Sequence, residues 1–287
     1  MSLLHVIILA IVQGLAELLP VSSSAHVIIA EKLMRMNPAA PETTLLLVML
    51  HTGTMFAVIA YFWGRWRRAF FQSALDFKRF LVALIVATVF TGIVGGALIE
   101  GIEKILLRNV AHAWIEQLWD RLDLIASALA AAGILILISG LAEKRSHAQS
   151  AAPEISTKQA IWIGAVQGLC LPFRGFSRSG ATISTGLLSG IPKMRAEDFS
   201  FALAVVLTPP AIAREAWRLL QSLHGHLGAV MASGVMTSIL GAVFAFIAGL
   251  VALKWLSSWL EEDRWYWFGI YCLVAAAVVA FLYHAGY

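Results

Sequence analysis

The sequence predicts an all-α polytopic membrane protein with about six transmembrane helices and two re-entrant helical hairpins in an inverted-topology repeat. Three observations carry this prediction: an apolar composition, six long apolar runs, and two further apolar runs interrupted by polar residues. Of the 287 residues, 60% are hydrophobic and 13% are charged, and the mean hydropathy is +0.80. An average soluble domain is about 45–50% apolar and about 25% charged. The composition therefore excludes a disordered chain, a nucleic-acid-binding basic domain and an ordinary cytosolic enzyme.

Six apolar runs are long enough to cross a bilayer, since a helix needs about 20 residues to span the hydrocarbon core. The runs are Thr44–Trp63, Phe80–Ile99, Leu122–Ala142, Phe199–Trp217, Leu227–Leu253 and Trp265–Tyr283. The fourth run contains Pro209 and Pro210, which we expect to kink its helix. Each run is interpreted as one transmembrane helix.

Two other apolar regions cannot be simple spans. Leu3–Met34 is interrupted by Glu17, Pro20 and three serines at 22–24, and Gln159–Ile191 is interrupted by Pro172 and by polar residues at 174–179. Irregular backbone at membrane depth is tolerated only where it is buried in protein or lines a wet cavity. Each region is therefore predicted to form two short helices joined by a polar turn, as a re-entrant hairpin.

The two interrupted regions share a sequence pattern. Val-Gln-Gly-Leu at 12–15 recurs at 166–169, and a proline and a serine cluster follow each copy. The offset of 154 residues is about half the chain, which favours an internal duplication. We interpret residues 1–287 as a single membrane domain, with one repeat half at 1–142, a cytoplasmic loop at 143–158 and the second half at 159–287.

Loop charges predict the orientation in the membrane. Residues 64–79 contain five Lys or Arg and one acidic residue, and residues 143–158 contain three Lys or Arg and two acidic residues. The positive-inside rule places both loops in the cytoplasm. Three spans in each half make the two halves run in opposite directions, so that the hairpins enter from opposite faces. We expect the hairpins to meet near the membrane centre and to form a site there.

The hairpins carry polar groups that suit phosphoryl transfer. The first offers Gln13, Glu17, Ser22, Ser23, Ser24 and His26, and the second offers Gln167, Arg174, Ser177, Arg178, Ser179 and Thr182. A helix predicted from Gly180 to Gly190 would direct backbone N–H groups at an anion. An arginine can neutralise phosphate oxygens, a serine or histidine can attack phosphorus, and a carboxylate can bind a metal or move a proton. For His51, two interpretations stay open: a group that lines the cavity, or a hydrogen-bonded core histidine.

At these residues the chain resembles the undecaprenyl-diphosphate phosphatase family of bacteria, the integral-membrane type associated with bacitracin resistance. The first motif reads Gln13-Gly-Leu-Ala-Glu17-Leu-Leu-Pro20-Val-Ser22-Ser23-Ser24-Ala-His26, and the second reads Arg174-Gly175-Phe176-Ser177-Arg178-Ser179-Gly180-Ala181-Thr182. The similarity continues through Phe199-Ser200-Phe201. Arg174 stands where the family has proline, and Gln13 stands where many members have glutamate. The second departure leaves Glu17 as the only carboxylate of its motif.

The resemblance implies hydrolysis of undecaprenyl diphosphate to undecaprenyl phosphate and phosphate, which recycles the lipid carrier for peptidoglycan synthesis. It implies a divalent cation, Mg²⁺ or Ca²⁺, with Glu17 as a ligand. By matching position it implies catalytic roles for Glu17, Ser23, His26 and Arg178. It implies substrate contacts for Gln13, Ser22, Arg174, Ser177, Ser179, Gly180 and Thr182.

The resemblance also implies partners and a location. We expect a polyprenyl diphosphate substrate, surrounding membrane lipids and no nucleic acid, and a homodimer is one assembly left open. The expected location is the bacterial inner membrane, with the active site facing the periplasm.

Two questions stay open at this level. Ser23 is the preferred nucleophile, with His26 as its base, but a phosphohistidine at His26 and direct attack by water are competing schemes. The rival function is a polyprenyl-phosphate flippase or small-anion transporter that uses the same site, since broken helices in inverted repeats are typical of transporters. The Ser23 and His26 pair favours the enzyme, because a transporter needs no nucleophile.

Overall fold

The computed structural model describes residues 2–38, 40–105, 118–119, 121–145, 155–222 and 227–286. Within these ranges the regular structure is entirely helical. The helices are α1 (Leu3–Leu18), α2 (Ser23–Leu33), α3 (Pro41–Phe70), α4 (Ala74–Ile105), α5 (Leu122–Arg145), α6 (Thr157–Leu169), α7 (Arg178–Leu188), α8 (Lys193–Ser222), α9 (Leu227–Glu261) and α10 (Trp265–His284). Six of them (α3, α4, α5, α8, α9 and α10) are long and apolar enough to cross a membrane. The predicted all-α class and the six spans are confirmed.

The long helices extend beyond the apolar runs that predicted them. Helix α3 begins at Pro41 and continues to Phe70, past the basic residues that end its apolar run. Arginine and lysine are good helix formers, so a helix need not end where its apolar run ends. Helix α8 continues through Pro209 and Pro210 as one element. Residues 146–154 of the predicted cytoplasmic loop lie outside the described part of the chain.

Four helices are too short to span a bilayer. Helices α1, α2, α6 and α7 have 16, 11, 13 and 11 residues, whereas a span needs about 20. They form two consecutive pairs, at the two regions where the sequence predicted hairpins. The path of these pairs through the membrane stays a prediction. Helix α7 begins at Arg178, two residues before the predicted start, because Ser177 caps it.

The helix order repeats at the offset seen in the sequence. Adding 154 to the bounds of α1, α2, α3 and α4 places each within three residues of the bounds of α6, α7, α8 and α9. Helices α5 and α10 then follow as the fifth member of each series. This correspondence supports the predicted internal duplication.

The described chain divides into two compact units. The first contains Met1–Leu19, His26–Trp63 and Ala204–Leu256. Its core joins α1, α2, α3 and α9 through Val6, Leu9, Ala10, Val27, Leu46, Leu50 and Ala245. Gly14, the glycine of the repeated Val-Gln-Gly-Leu motif, lets α1 approach α9 closely: a Cβ at Gly14 would lie 2.7 Å from the carbonyl oxygen of Ala245.

The second unit contains Pro20–Ala25, Gly64–Leu203 and Ser257–Tyr287. In it α5 packs against α10 and α7, and α6 packs against α4 and α7. Gly168 is the motif glycine of this unit, and a Cβ there would lie 2.9 Å from the backbone nitrogen of Gly95 on α4. The repeated glycine therefore marks a close helix crossing in each unit.

A buried ionic cluster occupies the second unit at the start of α8. Arg65 binds Glu197 at 2.8 Å and Asp198 at 2.9 Å, and the Ser257 hydroxyl donates to Glu197 at 2.5 Å. Both carboxylates are almost fully buried. Removing one partner of a buried ion pair leaves an uncompensated charge, so this cluster holds the ends of α3, α8 and α9 in one arrangement.

Candidate active site

The carboxylate of the first motif lies on the last turn of α1. Gln13 and Glu17 are four residues apart and share a helix face, and the Gln13 side-chain amide donates to Glu17 Oε2 at 3.2 Å. Gln13 is buried, whereas the Glu17 side chain is 13% exposed. The Gln13 amide therefore contacts the Glu17 carboxylate within α1.

His51 on α3 lies beside this carboxylate. Its Nδ1 is 2.8 Å from the carbonyl oxygen of Leu47. A carbonyl can only accept, so Nδ1 carries a proton and Nε2 is the nitrogen that faces Glu17. The distance from Nε2 to Glu17 Oε2 is 3.9 Å, too long for a direct hydrogen bond. The hydrogen bond to Leu47 supports the second interpretation of His51, and a role in lining the cavity stays a prediction.

The turn between α1 and α2 contains the serine cluster. Ser22 has a φ of 67°, a left-handed conformation that is uncommon for a residue with a side chain. Its hydroxyl lies 3.3 Å from that of Ser24. The Cys272 thiol of α10 donates to the Pro20 carbonyl at 3.2 Å and so holds the start of this turn. Such a backbone persists only when its surroundings determine it, which is typical of functional sites.

Helix α2 carries the candidate nucleophile and the candidate base. Ser23 is its first residue and His26 follows three residues later, and both side chains are half-buried. Residues three apart on a helix are neighbours on its surface. The helix therefore directs both groups to one side of its first turn.

The turn before α7 is shaped by a glycine and closed by a cap. Gly175 has a φ of +105°, and a Cβ there would lie 2.5 Å from the carbonyl oxygen of Ile125. The Ser177 side chain accepts the Gly180 N–H at 3.2 Å, which makes Ser177 the N-cap of α7. Arg178 is the first residue of the helix, so its guanidinium group and the positive end of the helix dipole come from the same turn.

Thr182 stabilises this first turn. Its hydroxyl lies 2.9 Å from the Arg178 carbonyl oxygen and 2.5 Å from the Ser200 hydroxyl of α8. Since Thr182 donates to the carbonyl, Ser200 donates to Thr182. Both side chains are buried. The predicted contact between Thr182 and substrate stays a prediction, while its hydroxyl ties α7 to α8.

Sequence reasoning noted Ser200 but did not name it as a site residue. A comparison of the two repeat halves could have identified Ser200. At the repeat offset of 154, the counterparts of Thr182 and Ser200 are Ile28 and Leu46, both apolar. A buried hydroxyl pair therefore occurs in only one half of the repeat, on the helix that carries Arg178.

Two other polar residues have contacts that the sequence did not predict. The Arg174 guanidinium carbon lies 4.4 Å from the centre of the Trp119 ring, within the range of a cation–π contact. Gln167, the repeat counterpart of Gln13, donates to the Thr91 hydroxyl at 3.1 Å and joins α6 to α4. The repeated glutamine thus donates a hydrogen bond to a carboxylate in the first unit and to a threonine hydroxyl in the second.

The predicted catalytic residues are distributed over both units. Glu17 and His26 belong to the first, and Ser23 and Arg178 belong to the second. Among the residues that the structure describes, no group of three or more His, Cys, Asp or Glu side chains could hold a metal ion.

Known proteins match nearly the whole chain. The family model described as bacitracin resistance protein BacA matches residues 6–278. The chain is 55% identical over 282 residues to undecaprenyl-diphosphatase 2 of Acinetobacter baylyi, with 97% of each chain covered. It is 31% identical over 282 residues to undecaprenyl-diphosphatase of Rhodopirellula baltica, with 98% of each covered. It is 32% identical over 286 residues to undecaprenyl-diphosphatase 2 of Burkholderia ambifaria, with 96% of this chain and 95% of the relative covered.

Proposed function

The chain belongs to the BacA family of bacitracin resistance proteins, and from this membership we propose that it is an undecaprenyl-diphosphatase. It hydrolyses undecaprenyl diphosphate to undecaprenyl phosphate and inorganic phosphate, and the monophosphate returns to peptidoglycan synthesis as the lipid carrier. The observation that carries the proposal is 55% identity, over 97% of both chains, with a relative of that name. The two hairpin motifs supply residue types that the reaction needs.

Arg178 binds the diphosphate. It opens α7, where the helix dipole favours an anion, and a guanidinium group can form two parallel hydrogen bonds with phosphate oxygens. The Ser177 cap and the Thr182 hydroxyl hold the backbone of this turn. Arg178 therefore stabilises the negative charge on the transferred phosphoryl group in the transition state.

Ser23 attacks the terminal phosphorus in the scheme we prefer. A bond forms between Ser23 Oγ and phosphorus, the bond to the bridging oxygen breaks, and its electron pair leaves with undecaprenyl phosphate. His26, on the same side of α2, accepts the Ser23 proton. Water then hydrolyses the phosphoserine and releases phosphate. Phosphorylation of His26 and direct attack by water are the competing schemes, which Ser23→Ala and His26→Ala variants distinguish.

A divalent cation fits the Glu17 site. The carboxylate is partly exposed and accepts a hydrogen bond from an amide, and oxygen is the ligand that Mg²⁺ and Ca²⁺ prefer. Mg²⁺ is often held by one or two carboxylates together with substrate phosphates and water, which suits the few protein ligands near Glu17. The bound cation would supply neutralisation of charge on the phosphate oxygens. Glu17 would hold it and thereby orient the diphosphate.

The proposed location is the bacterial inner membrane, with the active site open to the periplasm. The basic residues of 64–79, at the end of α3 and the start of α4, support this orientation, since the positive-inside rule places them in the cytoplasm. The apolar polyprenyl chain would lie in the bilayer beside the spans, so the substrate need not leave the membrane.

The test is phosphate release from undecaprenyl diphosphate by the purified full chain in detergent micelles. Micelles have no compartments, so turnover there identifies the enzyme and not the rival transporter. Arg178→Ala should lower kcat by at least about 100-fold, whereas Arg68→Ala, at an exposed position on α3, should leave it unchanged. Removing divalent cations with a chelator should abolish turnover, and adding Mg²⁺ or Ca²⁺ should restore it. Near-normal turnover by Arg178→Ala would contradict the assignment.

A further inference from the structure

The geometry around Glu17 points to a second protein ligand for the cation: we propose that His51 binds it through Nε2. This inference rests on the proposed function, which requires the cation, and adds a nitrogen ligand from a helix outside both hairpin motifs. Three observations carry it: the tautomer of His51, the distance between its Nε2 and Glu17, and the charge around Glu17.

In the neutral ring, a proton on Nδ1 leaves Nε2 with a lone pair. The Nδ1–H of His51 donates to the Leu47 carbonyl at 2.8 Å, within a turn of α3. A histidine that binds a metal nearly always donates its other ring N–H to a carbonyl, a carboxylate or water, which orients the ring. His51 thus has the orientation of a metal ligand before any ion binds, and its own helix supplies the anchor.

The distance between the two ligand atoms suits a bridging ion. His51 Nε2 and Glu17 Oε2 are 3.9 Å apart, beyond hydrogen-bond length. An ion with bonds of about 2.0–2.2 Å to nitrogen and oxygen can hold two ligand atoms up to about 4.2 Å apart. The separation is therefore short enough for one ion to contact both atoms, with a wide angle between its two bonds.

The charge around Glu17 favours an additional ligand. The Gln13 amide donates to Glu17 Oε2 and uses one acceptor position on that oxygen. Gln13 directs its N–H₂ group at Glu17, whereas Nε2 of a neutral His51 directs an electron pair there. The His51 side chain is 41% exposed, so protein atoms do not cover the ring completely.

A nitrogen ligand changes the expected metal preference. Imidazole suits transition metals, whereas Ca²⁺ and Mg²⁺ prefer oxygen alone. We expect Mn²⁺ to bind more tightly than Ca²⁺, and replacement of His51 to weaken Mn²⁺ far more than Ca²⁺. If His51 only packs within α3 and binds no ion, its replacement should leave the preference for Mn²⁺ over Ca²⁺ unchanged.

Two variants and one control separate these roles. His51→Asn keeps an N–H donor near the position of Nδ1 for the Leu47 carbonyl but has no nitrogen at the position of Nε2. His51→Gln lacks the imidazole altogether and serves as a second variant if the first unfolds. Thr52→Val is the matched control, because Thr52 also donates to the carbonyl four residues earlier, Val48, at 2.8 Å.

The experiment adds Mn²⁺ and methylenediphosphonate, a diphosphate group that cannot be hydrolysed, to the purified full chain in micelles. Electron spin echo modulation of the bound Mn²⁺ should show coupling to an imidazole ¹⁴N in the wild type and in Thr52→Val. The coupling should vanish in both His51 variants, and the Kd for Mn²⁺ should rise at least about tenfold.

Wild-type protein without ¹⁴N coupling, or coupling that persists in the His51 variants, would overturn the inference. Phosphate release by the wild type is measured separately. Turnover without ¹⁴N coupling would overturn the His51 ligand alone, and ¹⁴N coupling without turnover would overturn the proposed function alone.

Discussion

Gly175 takes a backbone conformation at the turn before α7 that a side chain would oppose in two ways. Its φ of +105° disfavours any residue with a Cβ, and that Cβ would lie 2.5 Å from the Ile125 carbonyl oxygen. Gly190, after α7, has a φ of +78°, and a Cβ added there would meet no atom within 4 Å. A comparison of the two glycines therefore separates the cost of a positive φ from the cost of a clash with the Ile125 carbonyl.

We expect Gly175→Ala to lower the free energy of unfolding by about 2–4 kcal/mol and Gly190→Ala by about 1 kcal/mol. The difference is the cost of moving the Ile125 carbonyl away. Denaturation of both variants in one detergent measures it. An equal decrease in the free energy of unfolding for both variants would show that α5 moves away from the added methyl group without cost.

Ser200 affects the site through Thr182. Its hydroxyl donates to Thr182, which in turn donates to the Arg178 carbonyl in the first turn of α7. Ser200→Ala should lower the free energy of unfolding by about 1 kcal/mol and reduce kcat by about tenfold with little change in KM, since the turn that orients Arg178 loosens. Phosphate-release kinetics and denaturation measure the two effects.

A buried serine outside the site provides the control for this prediction. Ser238 on α9 is buried, and Ser238→Ala should leave kcat unchanged. Ser200→Thr keeps a hydroxyl and should recover most of the lost turnover. Equal turnover by Ser200→Ala and Ser238→Ala would mean that the Thr182 bond has no role in orienting Arg178.

At the scale of helices, Trp265 joins three elements of the second unit. Its indole N–H lies 3.1 Å from the Ser139 hydroxyl of α5 and 3.2 Å from the Ser184 hydroxyl of α7. The two hydroxyls are 2.8 Å apart, and all three side chains are buried. In an apolar interior a polar group left without its partner costs more than the hydrogen bond contributes. This triad therefore fixes the position of α7 against α5 and α10.

Trp265→Phe should lower the free energy of unfolding by about 2–4 kcal/mol, because it removes the N–H donor and part of a large buried ring. Trp267→Phe, two residues later and 47% exposed, should have an effect below about 0.5 kcal/mol. Thermal denaturation in detergent compares them. Similar losses in both variants would show that the triad does not determine stability.

The positions of the helices could be predicted from the sequence more fully than their ends. Apolar runs located all six spans, yet α3 and α8 extend past the runs because arginine and lysine prolong a helix without adding hydrophobicity. The start of α7 was predicted two residues late, since the Ser177 cap forms through a side-chain contact that apolar periodicity does not record. The four short helices were located because polar residues interrupt their apolar runs.

At the scale of the whole molecule, the number of spans predicts the sides of two exposed positions. Gln72 lies between α3 and α4, and Gly286 follows α10. Five spans (α4, α5, α8, α9 and α10) separate them, and an odd number places them on opposite sides of the membrane. From the basic residues beside Gln72 we expect it in the cytoplasm and, with the five spans that the described residues contain, Gly286 in the periplasm.

Labelling of single introduced cysteines checks this orientation. In intact spheroplasts a membrane-impermeant maleimide should label Gly286→Cys and not Gln72→Cys, and after lysis it should label both. The unmodified chain, with Cys170 and Cys272, gives the background. Equal labelling of both positions in intact spheroplasts would contradict an odd number of crossings between them.

The sequence by itself determined the membrane class, the number of spans and the two polar hairpin regions. Crossing a bilayer demands about 20 apolar residues in a row, and an ionisable group inside such a run is costly, so both features can be detected locally. Only the tertiary structure decided that His51 lies beside Glu17 and that Ser200 lies beside Thr182. Each pair joins different helices, and which faces of two helices meet depends on side-chain packing between them, which neither apolar runs nor motif spacing encodes.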